Sequence, residues 1–250
     1  MFDHVTIRVA DRAAAEAFYD TVLTPLGIDR TYRTATFSEW HDFMLTGADE
    51  THPPTRRLHV AFVAPSRDQV DAFWQAGTEA GYRDDGRPGP RPEYRSDYYG
   101  AFLLDPDGNS AEAVHHDELR RGGIVAHLWI RVADLAAARR FYETIAPPAH
   151  LRLIHEEPER VAFSGKTGSF SLVAGTPTRD LHMAFPTDDD ADVRSFHEVA
   201  TAAGYRDNGP PGERPRYHPG YYSAYVLDPD GNNIEVVNHH RTQVRPRLPA

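Results

Sequence analysis

Apolar and polar positions along this chain follow two periods in turn, two residues and then three to four. Asp3–Ala10 alternates apolar and polar side chains and is rich in β-branched residues, the mark of a half-buried strand. Asp11 stands as an N-cap before RAAAEAFYDTVL, where Ala15, Phe18, Tyr19 and Val22 share one helical stripe. Pro25 and Gly27 stop that helix. Residues 31–50 hold short mixed segments that predict two or three strands, and Leu58–Ala64 predicts another. Ser66 and Asp68 offer caps for a second helix ending at Gly81, and the Gly-, Pro- and Arg-rich stretch Asp84–Ser96 reads as a loop. Two closing strands follow, joined by Asp-Pro-Asp-Gly-Asn, in which Pro presets φ and Gly takes positive φ.

The same order then recurs 123 residues later. Pairing Met1–Glu118 with Ile124–Arg241 without a gap gives 46 identities in 118 positions, far above chance for unrelated segments. The chain is therefore an internal duplication, read as domain 1 over 1–118, domain 2 over 124–241 and a mobile tail over 242–250. Each copy runs strand, helix, several strands, twice over. The fold class is α+β: a tandem pair of domains, each of two βαβββ units with a curved, barrel-like sheet.

Composition narrows the classes. The net charge of −10 argues against a general nucleic-acid or anionic-membrane surface. The chain has no cysteine, so disulfides, zinc–thiolate sites and thiol nucleophiles are excluded. No apolar run reaches membrane-spanning length and the N-terminus lacks signal-peptide character, so the expected setting is the cytoplasm. Within each closing strand one carboxylate interrupts an apolar run, Glu112 in YYGAFLLDPDGNSAEAV and Glu235 in YYSAYVLDPDGNNIEVV. Burying a carboxylate without a cation or hydrogen-bond donor is costly, so each faces either solvent or something positive.

The βαβββ order and the DPDGN-x-x-E ending resemble the vicinal oxygen chelate superfamily, which contains glyoxalase I, fosfomycin- and bleomycin-resistance proteins and the extradiol dioxygenases. The resemblance implies a divalent metal held from the first, fifth and last strands. Those places carry His4, His59 and Glu112 in the first copy and His127, His182 and Glu235 in the second. All six are polar intruders in apolar strands, which a shared cation would explain. Two imidazoles and a carboxylate favour Fe(II) or Mn(II), with Zn(II) or Ni(II) admissible. Each copy holds a full set, so the reading pairs ligands within a copy; the alternative exchanges the first histidines, joining His4 to His182 and Glu235.

Within the family, glyoxalase I calls for a second carboxylate on the strand ahead of the fifth. DFMLTG and SFSLVAG provide none there. An extradiol-dioxygenase resemblance fits the second copy better and implies catalytic roles for Tyr225 and His218, where the first copy has Phe102 and Arg95. The position of that family's upstream histidine holds Thr167. Tyr222 and Arg216 are candidate substrate contacts, while the pairs His115–His116 and His239–His240 read as solvated. The expected function is a metal-dependent enzyme acting on a small oxygen-bearing molecule, an oxygenase with its active site in the second copy. A lyase or isomerase and a non-catalytic small-molecule resistance protein are the alternatives. The expected partner is a small-molecule substrate, with a homodimer left open.

Overall fold

The computed structural model of the protein describes residues 1–118 and 122–240, so the expected tail over 242–250 lies outside the described residues. The first repeat contains β1 (His4–Val9), α1 (Arg12–Leu23), β2 (Tyr32–Arg33), β3 (Phe37–Trp40), β4 (Phe43–Gly47), β5 (His59–Val63), α2 (Arg67–Glu79), β6 (Arg83–Pro90), β7 (Tyr99–Leu104) and β8 (Ser110–His115). The second contains β9 (Val125–Val132), α3 (Leu135–Ile145), β10 (Arg152–Glu157), β11 (Arg160–Ser164), β12 (Ser169–Ala174), β13 (His182–Pro186), α4 (Asp190–Ala202), β14 (Arg206–Glu213), β15 (Tyr222–Leu227) and β16 (Asn233–Asn238).

Helix starts follow local chemistry. The side chains of Asp11 and Ser66 accept the backbone N–H groups of Ala14 and Gln69, and Asp134 and Asp189 cap the matching helices of the second repeat. The stretches Arg83–Pro90 and Arg206–Glu213 correct an expectation, because they are strands rather than loops. Both lie at the outer edge of a sheet, where a proline need not donate to a further neighbour, and both ladders shift register at glycines.

The strands form two open sheets of eight, ordered β14-β15-β16-β13-β1-β4-β3-β2 and β10-β11-β12-β9-β5-β8-β7-β6. Each sheet takes one βαβββ unit from each repeat. The pairing expected within a copy is therefore overturned: β1 lies antiparallel to β13 (Thr6 opposite His182), and β5 antiparallel to β9 (Ala61 opposite His127). The seams are locked symmetrically, since Thr55 Oγ1 donates to the Asp180 carbonyl at 2.8 Å and Thr178 Oγ1 to the Arg57 carbonyl at 3.0 Å. The gapless match also fails locally. Phe43 and Phe170 each pair with the residue after the first histidine, Val5 and Leu128, so their offset is 127 rather than 123 before the register recovers at His59 and His182. The longer turn between β11 and β12 takes up the difference, since Phe163 faces Phe170 where Trp40 faces Phe43.

Helices α1 and α4 cover one face of the first sheet, and α2 and α3 one face of the second. One apolar cluster runs through both repeats, with Val5, Ile7 and Val9 pointing into it. The period of two leaves His4 on the opposite face. The DPDGN turns set where the fifth-strand histidines begin. Asp228 Oδ1 accepts the backbone N–H groups of Asp230 and Asn232; Asn232 then accepts from the Leu181 N–H at 3.2 Å and donates to the Thr178 carbonyl at 3.1 Å. Asn109 does the same for Leu58 and Thr55. Each asparagine thus holds the residue just before a candidate ligand. Replacing Asn232 with Ala strands a buried N–H and a buried carbonyl at about 1–3 kcal/mol each. Urea unfolding of Asn232→Ala is expected to show a loss of roughly 2–4 kcal/mol.

Candidate metal centres

The exchanged sheets gather the six candidate ligands into two groups, His4/His182/Glu235 and His59/Glu112/His127. In the first, His4 Nε2 lies 2.9 Å from His182 Nε2 and 3.6 Å from Glu235 Oε2, and His182 Nε2 lies 3.0 Å from the same oxygen. In the second, Glu112 Oε2 lies 2.9 Å from His59 Nε2 and 3.3 Å from His127 Nε2. Such separations suit neighbouring ligand atoms about one cation with bonds of about 2.1 Å. A proton can join two of three converging atoms, whereas a cation satisfies all three. The donor set therefore fits a divalent metal.

Both glutamates are 1% exposed. Burial alone would raise their pKa, but hydrogen bonds from the paired histidines outweigh it, holding Glu112 down at about 2 and Glu235 below its usual range. Each carboxylate's other oxygen accepts a buried phenol, Tyr221 at 2.8 Å on Glu235 and Tyr98 at 2.6 Å on Glu112. The fifth-strand histidines are also braced: His182 Nδ1 lies 2.7 Å from the Asn233 amide and His59 Nδ1 3.2 Å from the Ser110 hydroxyl.

The first strands differ. His4 Nδ1 contacts Asp3 Oδ1 at 2.8 Å; Asp3 Oδ2 meets His239 Nε2 at 2.8 Å; His239 Nδ1 meets His218 Nε2 at 2.8 Å. The row runs from a half-buried surface histidine to a ligand. Burial opposes the ionised form of Asp3, yet its two imidazole partners hold its pKa well below the usual range. At the matching places the first repeat has Arg95 and His116, and Ala126 precedes His127. No carboxylate orients His127 from there, and Arg95 turns to Asp97 and Glu118. The reading of His239 as a solvated histidine is corrected: it is 14% exposed and tied to Asp3.

The remaining expected residues are placed unevenly. Tyr225 lies opposite Glu235 in the ladder, its ring 6.3 Å from His182, its hydroxyl 3.0 Å from Ser223 Oγ. His218 reaches the centre only through His239 and Asp3. Tyr222 lies on the other face of β15, packed against the apolar core, so it does not face the ligands. Arg216 donates to the Tyr217 hydroxyl at 3.0 Å and is separated from Glu235 by Tyr217 and Tyr221. Sequence reasoning missed Asp3, Tyr221 and Tyr98 as partners of the ligands. The available signal was parity, since Tyr221 and Tyr225 share a strand face and Asp3 touches a ligand in sequence.

The family model of the glyoxalase/bleomycin resistance protein/dioxygenase superfamily matches this chain twice, over residues 1–113 and 124–236. The chain belongs to that superfamily. No curated protein matches it. Glyoxalase I from Zea mays superposes with a TM-score of 0.67 at 17% identity, covering 95% of this chain and 92% of that one. A dioxygenase candidate from Bacillus subtilis subsp. subtilis strain 168 does so at 0.65 and 16%, covering 96% and 85%. At those identities the likeness speaks for the superfamily fold. No helix among the described residues is long and apolar enough to cross a membrane.

An outer carboxylate that fixes a ligand histidine typically contributes 10- to 100-fold in metal affinity. Asp3→Asn is therefore expected to weaken one of two binding events by about that factor and leave the other unchanged. Mn(II) titration followed by calorimetry checks this, and a uniform loss at both events contradicts it.

Proposed function

We propose that the protein is a divalent-metal enzyme acting on a small molecule that presents neighbouring oxygens, with turnover at His4/His182/Glu235. The metal assigned to that centre is Fe(II) or Mn(II), and the reaction class is oxygenation of the extradiol, ring-cleaving type. The observation that carries this reading is the convergence of two imidazoles and one buried carboxylate on one point. That set binds a cation from one side and leaves the other side for ligands. When bound, the metal supplies Lewis acidity and a template for adjacent oxygens, and in an oxygenase a site for O₂.

The chain's own groups have separable tasks. Tyr221 holds Glu235 in one orientation, and Asp3 fixes the tautomer of His4 so that Nε2 is free for the metal. Tyr225 supplies a phenol on the ligand face of the sheet, able to donate a hydrogen bond where charge develops on substrate oxygen. Burial keeps that phenol protonated through the neutral range, with Glu235 adding to the effect. No histidine stands at Thr167, and the imidazole that communicates with the centre is His239, through Asp3 and His4.

The glyoxalase-type reading has less support. Among the described residues no fourth carboxylate or imidazole joins either group. The two centres also differ as catalysts, since Phe102 at the place of Tyr225 has no proton to donate.

Anaerobically purified, metal-loaded protein assayed on a catechol, epoxide and hemithioacetal panel tests this. Glu235→Gln is expected to abolish turnover while Glu112→Gln retains most of it. Tyr225→Phe is expected to lower kcat on the order of a hundredfold. Equal loss in the two Gln variants, or loss only in Glu112→Gln, overturns the assignment.

A further inference from the structure

The second centre opens into a cavity of about 1080 Å³ whose wall carries an unusual set of arginines. His127, Trp129 and Arg131 alternate onto one face of β9, so Arg131 lies four residues along from the ligand, about 13 Å. Arg160 sits opposite Val173, which is itself opposite Arg131, and its guanidinium covers the Trp129 ring at 4.9 Å. Arg57, two residues before His59, and Arg83, paired with Leu104, line the same end.

These cations lack the partners that arginines in a protein of net charge −10 would readily find. Among the described residues, the side chains of Arg57, Arg83 and Arg131 make neither hydrogen bond nor ion pair, and Arg160 Nε is buried without an acceptor. A buried guanidinium N–H with no acceptor is costly, so this arrangement is suited to an acceptor brought from outside. Of the wall's carboxylates, Glu112 belongs to the ligand triad, Asp85 accepts the Ser110 hydroxyl at 2.7 Å and Glu157 pairs with His155 at 3.4 Å, while Glu93 makes no ion pair with these arginines.

The other centre does not repeat this end. Asp180 stands where Arg57 does, Thr6 where Trp129 does, and Phe37 where Arg160 does. Arg8, the counterpart of Arg131, is spent on the Gly47 carbonyl at 3.3 Å and on Asp49. Only Arg206, matching Arg83, remains.

We propose that the His59/Glu112/His127 centre takes an elongated ligand with an anionic tail, its oxygen-bearing head toward the ligand triad, a planar middle against Trp129 and its tail between Arg131, Arg160, Arg83 and Arg57. This concerns the ligand class of the centre not assigned to turnover above, so it stands or falls independently of that assignment. A guanidinium suits a carboxylate because its paired N–H groups match two oxygens.

The test is binding to the full-length, Mn(II)-loaded protein, followed by Trp129 fluorescence, with Trp129→Phe assigning the signal. The probes are 3-(3,4-dihydroxyphenyl)propionate and its uncharged analogue 4-ethylcatechol. The charged probe is expected to bind roughly tenfold tighter or more, with the preference shrinking as salt is raised. Arg83→Ala combined with Arg131→Ala, both exposed positions that the core does not use, is expected to remove the preference while leaving 4-ethylcatechol unchanged. Arg131→Glu should reverse it, and Arg206→Ala at the other centre should leave it intact. Equal affinity for the two probes, or a preference that survives the double variant, overturns the proposal.

Discussion

Two antiparallel seams, β1 against β13 and β5 against β9, join the two repeats and gather the candidate metal ligands in the same act. Each seam places the first-strand histidine of one repeat beside the fifth-strand histidine of the other. The parallel neighbours β16 and β8 then bring in the glutamates. Neither centre exists without both repeats. The main apolar cluster likewise spans both repeats. Stability and ligand geometry therefore share the same hydrogen-bond ladders, and the DPDGN turns that fix the start of β5 and β13 serve both.

Two carboxylates sit in strand interiors, each nearly inaccessible. A buried carboxylate persists only with donors or cations around it, and here two imidazoles take one oxygen and a phenol takes the other. That arrangement leaves the glutamates ionised despite burial. It also sets both rings of each histidine pair toward one point, an arrangement that apolar packing alone gives no reason to form. The difference between the centres lies one bond further out. Asp3 anchors His4 where Ala126 offers His127 nothing, and Tyr225 stands where Phe102 does.

Much of this was legible in the residues. The α+β order and the helix caps follow from periodicity, the duplication from the match of the chain to itself, and the six strand positions carrying His or Glu from the family resemblance, with which the cost of polar groups in apolar strands agrees. The exchange of units was not legible, because each copy carries a complete set and sequence spacing is indifferent to whether β1 meets β5 or β13. The edge strands β6 and β14 were hidden by glycines and prolines whose usual meaning is a loop, and which an edge tolerates. The four-residue shift around β4 and β12 was masked by flanking segments that match without it. Asp3 adjoins His4 in sequence, but its bond to His239, 236 positions away, is set only by the tertiary structure.

Consider what joining the two repeats in one chain does to symmetry. Two identical single-repeat chains exchanging units in this way would form two identical centres, and any substitution would appear in both. In the fused chain position 3 and position 126 are separate letters, so aspartate can be introduced at one and alanine kept at the other. The same freedom lets arginine and tryptophan line the cavity at one centre while aspartate and threonine take the corresponding places at the other. Covalent linkage thus turns a pseudo-twofold axis from a constraint on side chains into a mere relation of backbones, with two centres free to diverge in their surroundings.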